Sequence, residues 1–278
     1  MEYLYHYTSL DTLALILHNR TICFNNLSYV DDIEEAETRD MGEFGKFVYV
    51  SCWTDDEEES IPLWNMYTPN MHGVRIRMPK FPFKKRKYQK GQFYLGEDIE
   101  TYINMKKIFD ENKAGIVPTA PHLVKVEYTE DNNKLFPKIK TESFDGALQE
   151  FLELKDMEEI RNKNIEVNYS FKDIGRFKRK NWKFQREWRY IITLCPMGIQ
   201  DANPPSWEKQ QEIIRRIEDR NLKPLYERLF LDISDDALSD IEILLGPKMS
   251  EAEKYIAQAL LAQYCPKAAC RESALRIR

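Results

Sequence analysis

The chain has 278 residues, 42% hydrophobic and 31% charged, with a formal net charge of −5. That is long enough to bury a full core, and the mild acidity gives no general attraction for nucleic acid or a membrane surface. No apolar run approaches the roughly 18 residues needed to span a bilayer, the start MEYLYHYTSL lacks the pattern of a secretory signal, and five scattered cysteines make no disulfide framework, so a cytoplasmic protein without a membrane partner is expected.

Leu4 to Tyr7 reads as a short strand, and Thr8 or Ser9 then caps a helix striped by Leu10, Leu13, Ile16 and Leu17. His6 thus falls just before a helix N-terminus, where free N–H groups gather and ligands bind. The plainer alternative is a histidine satisfied by a backbone carbonyl. Thr21 to Phe24 reads as a second strand. Asn25 to Glu37, NNLSYVDDIEEAE, is an acidic loop entering a short helix. It lacks the glycine turn and ligand spacing of a calcium loop, so no metal is expected.

Phe47 to Thr54, FVYVSCWT, predicts a central strand with Phe47, Tyr49, Ser51 and Trp53 on one face and Val48, Val50 and Cys52 on the other. Ser51 either touches a ligand or bonds the backbone. Pro62 suits the first turn of a helix that sets Trp64 and Tyr67 on one side, as core or as an aromatic shelf over a pocket. Gly73 to Met78 reads as a strand.

From Lys80 the pattern changes. A basic-aromatic run, Phe81 to Lys87, precedes helical stretches at Glu97 to Asn112 and Phe144 to Asn164, with a strand at Leu123 to Tyr128 between them. Residues 80–164 are expected to form a mainly helical elaboration of one α+β domain spanning 1–278. Its core, about 1–79 and 165–278, would hold a central sheet; a separate helical lobe is the alternative. Phe171 to Lys180 carries Lys172, Arg176, Lys178, Arg179 and Lys180, either a phosphate site or a solvated basic helix.

Trp182 to Thr193, WKFQREWRYIIT, predicts the pivotal strand. Trp182, Phe184, Trp188, Tyr190 and Ile192 alternate with Lys183, Gln185, Glu187, Arg189 and Thr193, the pattern of one buried and one polar face. The polar face is either solvated or the wall of a cleft into which Glu187 points, flanked by Gln185 and Arg189. Later elements are a charged helix at Trp207 to Arg220, a strand within Leu225 to Ile233 and a short helix at Asp235 to Ile241. A strand at Ile241 to Leu245, a capped helix at Ser250 to Tyr264 and a last strand at Ser273 to Arg278 follow. No glycine-rich phosphate loop, paired-histidine zinc motif or nucleophile elbow is present.

Taken in order, YHYTS, LSYVDDIEEAE, SCWTDDEEESIPLWNMY with GVRIRM, KRKNWKFQREWRYI, IEILLGPKMS and SALRIR resemble the bacterial domain-of-unknown-function family numbered 2971. More distantly, His6, Ser51 and Glu187, with Gln185 two before the glutamate, resemble the ADP-ribosyltransferase fold, although the middle segment is longer than in its small toxins. That resemblance implies a split, mixed central sheet and NAD as co-substrate, with no metal. It implies ADP-ribosyl transfer or NAD glycohydrolysis, with Glu187, His6 and Ser51 catalytic. Glu187 would stabilise an oxocarbenium-like state, His6 would hold the adenosine ribose, and Ser51 would support Glu187 or the nicotinamide ribose. Tyr7, Trp64 or Tyr67 would stack on nicotinamide, with Thr8, Gln185 and Arg189 also on the ligand. Arg39, Arg75 or Arg189 would meet the pyrophosphate, and the acceptor would be protein, nucleic acid or water. The alternative is a non-catalytic module that binds a nucleotide or a protein in the same cleft.

Overall fold

The computed structural model describes residues 2–114, 120–144, 165–198 and 207–278. The chain opens with strand β1 (Tyr3–Ser9), helix α1 (Leu10–Asn19) and β2 (Thr21–Asn26). Ser9 caps α1 by accepting the Thr12 N–H, and Arg20 ends it in the left-handed region (φ 55°). Three 3-10 turns and the small pair β3 (Glu37–Thr38) and β4 (Gly42–Glu43) lead to β5 (Val48–Thr54), α2 (Ile61–Tyr67) and β6 (Gly73–Pro79). The pair β7 (Arg86–Tyr88) and β8 (Ile99–Thr101) precedes α3 (Met105–Glu111). Then come β9 (His122–Lys125), β10 (Glu127–Thr129), α4 (Asn132–Leu135), β11 (Lys140–Phe144), β12 (Ile165–Tyr169), β13 (Phe177–Arg179) and β14 (Glu187–Thr193). The C-terminal part is α5 (Trp207–Glu218), β15 (Arg228–Asp232), α6 (Asp235–Ser239), β16 (Glu242–Leu245), α7 (Glu251–Tyr264) and β17 (Ala269–Glu272). Ser250 and Glu253 form a reciprocal capping box at the start of α7.

Among the described residues nine strands form one mixed sheet, ordered β15-β2-β5-β1-β6-β16-β17, with β14 also on β5 and β9 on β14. Tyr5, Val50, Ile76, Tyr190, Phe230 and Ile243 all belong to it, so the two predicted halves of the core share one sheet. One face carries Leu4, Tyr49, Ile76 and Tyr190 against α1 and α7, through Leu13, Leu17 and Leu261. On the other, Val48, Val50 and Ile191 pack with Phe44, Phe47 and Ile174, and Tyr7 and Leu244 pack with Trp64 of α2. β1 follows β6 along its whole length, so closely that a Cβ on Gly73 would stand 2.5 Å from the Thr8 carbonyl.

The sheet is incomplete on one side of β5. β1 meets β5 only at Tyr5↔Thr54, and β2 meets it only at Asn25↔Val50 and Asn26↔Tyr49. Among the described residues, 51–53 therefore lack a strand neighbour on that side, while β14 pairs with β5 from end to end on the other. The sheet splits here.

Several expected elements differ. The pivotal strand begins only at Glu187, because Lys180–Gln185 coils into a 3-10 helix and Arg186 takes a left-handed conformation (φ 45°). The Leu123 to Tyr128 strand breaks at Val126 into β9, which extends the main sheet along β14, and β10, which pairs with β13. The Glu97 to Asn112 stretch divides into β8 and α3. The Phe144 to Asn164 helix falls outside the described residues, apart from Phe144 at the end of β11. Phe171 to Lys180 holds β13 and no α-helix, Lys180 opening the 3-10 helix that follows. The last strand is Ala269–Glu272, not Ser273 to Arg278. No helix among the described residues is long and apolar enough to cross a membrane.

Candidate functional site

A cavity of about 520 Å³ opens where the sheet splits, bordered by β1, α1, β2, β5, α2 and the start of β14. His6, Ser51 and Glu187 all contribute to its lining. The pairing register determines which of their side chains can meet. Residues opposite one another in an antiparallel pair share a face. Glu187↔Thr54 and Arg189↔Cys52 lie on one face of the β5–β14 pair; Trp188↔Trp53 and Tyr190↔Ser51 lie on the other.

Ser51 is therefore turned away from Glu187, and its Oγ accepts the indole N–H of Trp53 at 3.1 Å. The expectation that Ser51 supports Glu187 does not hold, because strand alternation puts neighbouring positions on opposite faces. Cys52, not singled out as a site residue from the sequence, is the β5 side chain beside Glu187. Burial, and then the Glu187 charge, push its thiol well above the usual range, so it is neutral and poorly nucleophilic.

His6 packs its ring against Trp53, centroids 5.1 Å apart, and its Nδ1 lies 2.8 Å from the Cys52 carbonyl oxygen. That bond spans the split. Burial lowers the His6 pKa, with the backbone bond opposing it, which leaves a neutral ring at neutral pH.

Glu187 belongs to a buried cluster of four charges. Its carboxylate accepts from Lys178 Nζ at 2.9 Å and from Arg189 Nε at 2.5 Å. Lys178 also donates to Gln185 Oε1 at 2.9 Å and lies 3.2 Å from Glu35 Oε1. Arg189 donates to Glu35 and, at 3.1 Å, to the carbonyl of Gly175, whose positive φ of 74° is one that side chains rarely adopt. Glu35, Lys178 and Glu187 are at most 6% exposed, and Arg189 is fully enclosed. Two carboxylates balance two cations, the condition under which buried charge is tolerable. Burial alone would raise the Glu187 pKa, but the charges of Arg189 and Lys178 outweigh it and bring it to about 2. Glu187 is thus ionised across the physiological range.

The polar face of β14 is accordingly neither solvated nor a row of free ligand groups. Gln185 sits in the 3-10 turn and donates to the Tyr67 hydroxyl at 2.6 Å, which holds a half-buried aromatic ring at the cavity wall. Tyr7 and Thr8 also reach the cavity, with the Tyr7 hydroxyl accepting the Ser60 N–H at 3.0 Å. Trp64 does not line it. That ring is fully buried, edge-on to Tyr7, and donates to Glu59 at 3.1 Å. The helix that carries both aromatics has only one flank on the cavity, so Tyr67 faces it and Trp64 enters the core.

The three arginines considered for a pyrophosphate are otherwise engaged. Arg39 binds Asn133 at 2.5 Å, Arg75 lies over the Tyr5 ring and donates to the Glu57 carbonyl, and Arg189 is enclosed in the cluster. Arg39 and Arg75 are also not part of the lining. In the basic run before β14, Lys178 is buried in the cluster and Arg179 pairs with Glu34. Sequence reasoning missed the roles of Glu35 and Lys178. Their only sequence signal was membership in an acidic and a basic run, each of which also reads as a solvated surface. Among the described residues no group of three His, Cys, Asp or Glu side chains could hold a metal ion.

No curated protein and no solved structure matches the chain. Residues 63–190, from α2 through most of β14 and so including Tyr67, Lys178, Gln185, Glu187 and Arg189, match the model of a family described as "Protein of unknown function (DUF2971)".

Proposed function

We propose that the cavity binds NAD and that the chain transfers ADP-ribose to an acceptor or to water through an oxocarbenium-like transition state. The observation that carries this reading is the ionised Glu187 carboxylate on the wall of a 520 Å³ cavity at a split in the sheet. The volume suits a nucleotide-sized ligand. In the reaction the bond from the ribose C1′ to the nicotinamide nitrogen breaks, and its electron pair leaves with neutral nicotinamide. Positive charge develops on the ribose, and a fixed carboxylate nearby lowers the energy of that state. The acceptor hydroxyl then adds to C1′ and loses its proton to solvent. Lys178 and Arg189 keep Glu187 charged and fixed, Gln185 and Tyr67 supply an oriented aromatic wall, and His6 ties β1 to β5 beside the cavity. Ser51 has no role in this scheme, since its hydroxyl faces Trp53.

The test is nicotinamide release by purified protein with candidate acceptors supplied. Glu187→Gln should lower turnover by about 100- to 1000-fold, the usual cost of losing one preorganised electrostatic group. The amide also turns an N–H₂ towards Lys178 or Arg189, so melting curves must accompany the rates. Tyr67→Ala, outside the ion cluster, should raise KM more than it lowers kcat. Unchanged turnover in Glu187→Gln removes Glu187 from the mechanism. A wild-type protein with neither a thermal shift with NAD nor nicotinamide release overturns the reading.

One observation favours a second reading, a non-catalytic nucleotide-binding module. Both Glu187 oxygens already accept hydrogen bonds from Lys178 and Arg189. A thermal shift with NAD but no nicotinamide release selects that alternative.

A further inference from the structure

We infer that β2 and β15 form a subsite of the cavity for the base and phosphate of a nucleotide, with Phe230 as the stacking platform and Arg228 as the phosphate partner. This rests on the reading of the cavity as a nucleotide site, but not on catalysis.

The two strands pair antiparallel, with Arg228↔Asn25 and Phe230↔Cys23 in register. Strand alternation puts these four side chains on one face, while Leu229 and Leu231 enter the core on the other. Asn25 also pairs with Val50, two positions from Cys52, so this is the face of the sheet that carries Glu187 and Arg189. All four residues line the cavity.

Two features of this face lack a structural purpose. Phe230 is 47% exposed although its strand neighbours are core residues. A large exposed aromatic at the rim of a cavity is a surface on which a planar ring can stack. Arg228 is exposed, and its side chain forms no hydrogen bond or ion pair with any described residue, its charge acting only on the neutral Cys23 thiol of the same face. The other cations of the lining, Lys178 and Arg189, are neutralised by Glu35 and Glu187. Asp31, also exposed on the lining, forms no ion pair with Arg228. An aromatic face and an uncommitted guanidinium two residues apart on a strand, with the Asn25 amide opposite, match the ring, phosphate and hydroxyls of a nucleoside diphosphate. A ligand laid from this shelf toward Glu187 has its phosphates at Arg228 and its distal ribose at the carboxylate.

The experiment is calorimetric titration of wild type, Arg228→Gln and Phe230→Ala with ADP-ribose and, separately, adenosine. Both substitutions are on exposed positions, and melting curves check that the fold is kept. Arg228→Gln should weaken ADP-ribose about 10- to 100-fold, the worth of one charge-assisted pair, and leave adenosine unchanged. Phe230→Ala should weaken both ligands. ADP-ribose affinity unaltered by Arg228→Gln, an equal loss for adenosine, or no binding of ADP-ribose by the wild type overturns the subsite. Arg228-dependent binding without nicotinamide release keeps the subsite and overturns transfer. NAD turnover whose KM ignores Arg228→Gln keeps transfer and overturns the subsite.

Discussion

The β5–β14 pair buries both of its faces, but by different means. On one, Trp53 and Tyr190 meet edge to face, ring centroids 6.2 Å apart, with Phe83 against Tyr190 at 4.9 Å. On the other, Glu187 and Arg189 are closed off by Glu35 and Lys178. An apolar face loses stability roughly in proportion to the contacts removed. A charged face is all or none, because each group is tolerable only while its counter-charge is present.

The comparison is tested most severely by removing one charge. Arg189→Met should cost about 3–5 kcal/mol in urea unfolding, since it leaves two buried carboxylates facing Lys178 alone. The double variant Glu35→Leu, Lys178→Met removes one charge of each sign and should cost less than either single change. If the singles and the double follow simple addition, the four groups are not acting as one cluster.

Acid comes next. The folded pKa of Glu187, about 2, lies below its ordinary 4.5. The unfolded chain therefore binds the proton first as pH falls. The Glu187 contribution is fully present above pH 4.5 and is lost as pH drops from there through about 2. Melting temperature followed over that window should fall less steeply in Glu187→Gln, which has no such proton to bind. An identical slope would mean that other carboxylates govern acid lability.

The smallest effect belongs to the packed face. The Tyr190 hydroxyl donates to the Lys80 carbonyl at 2.5 Å. Tyr190→Phe removes that bond but keeps the ring, and should cost about 0.5–1.5 kcal/mol. A loss as large as that of Arg189→Met would erase the distinction between the two faces.

Much of the fold was legible because its signals are local. The alternation in FVYVSCWT and in Glu187 to Thr193 marks the two strands that carry the site. The same reading ran too far upstream at Trp182 to Arg186. There aromatics alternate as in a strand, but Arg186 takes a positive φ that no residue type announces. The triad was half legible. His6, Ser51 and Glu187 all border the cavity, but register puts only Glu187 on its face of the sheet: Tyr5↔Thr54 shares that face, so His6 turns to the other, with Trp53 and Ser51. Arg228 was overlooked because an arginine on an edge strand looks the same whether it has a partner or not.

By itself the sequence determined the helices that start at Ser9 and Ser250, the strand periods and the absence of a glycine-rich phosphate loop. Each depends on residues within a few positions of one another: a cap reaches three residues along the chain, and alternation needs only the next neighbour. Only the tertiary structure decided that the sheet splits beside residues 51–53, that Arg189 finds Glu35 across 154 positions, and that Arg228 remains unpaired among the described residues. Those are outcomes of long-range pairing and register. A shift of one residue exchanges the faces of a strand while leaving its local pattern untouched.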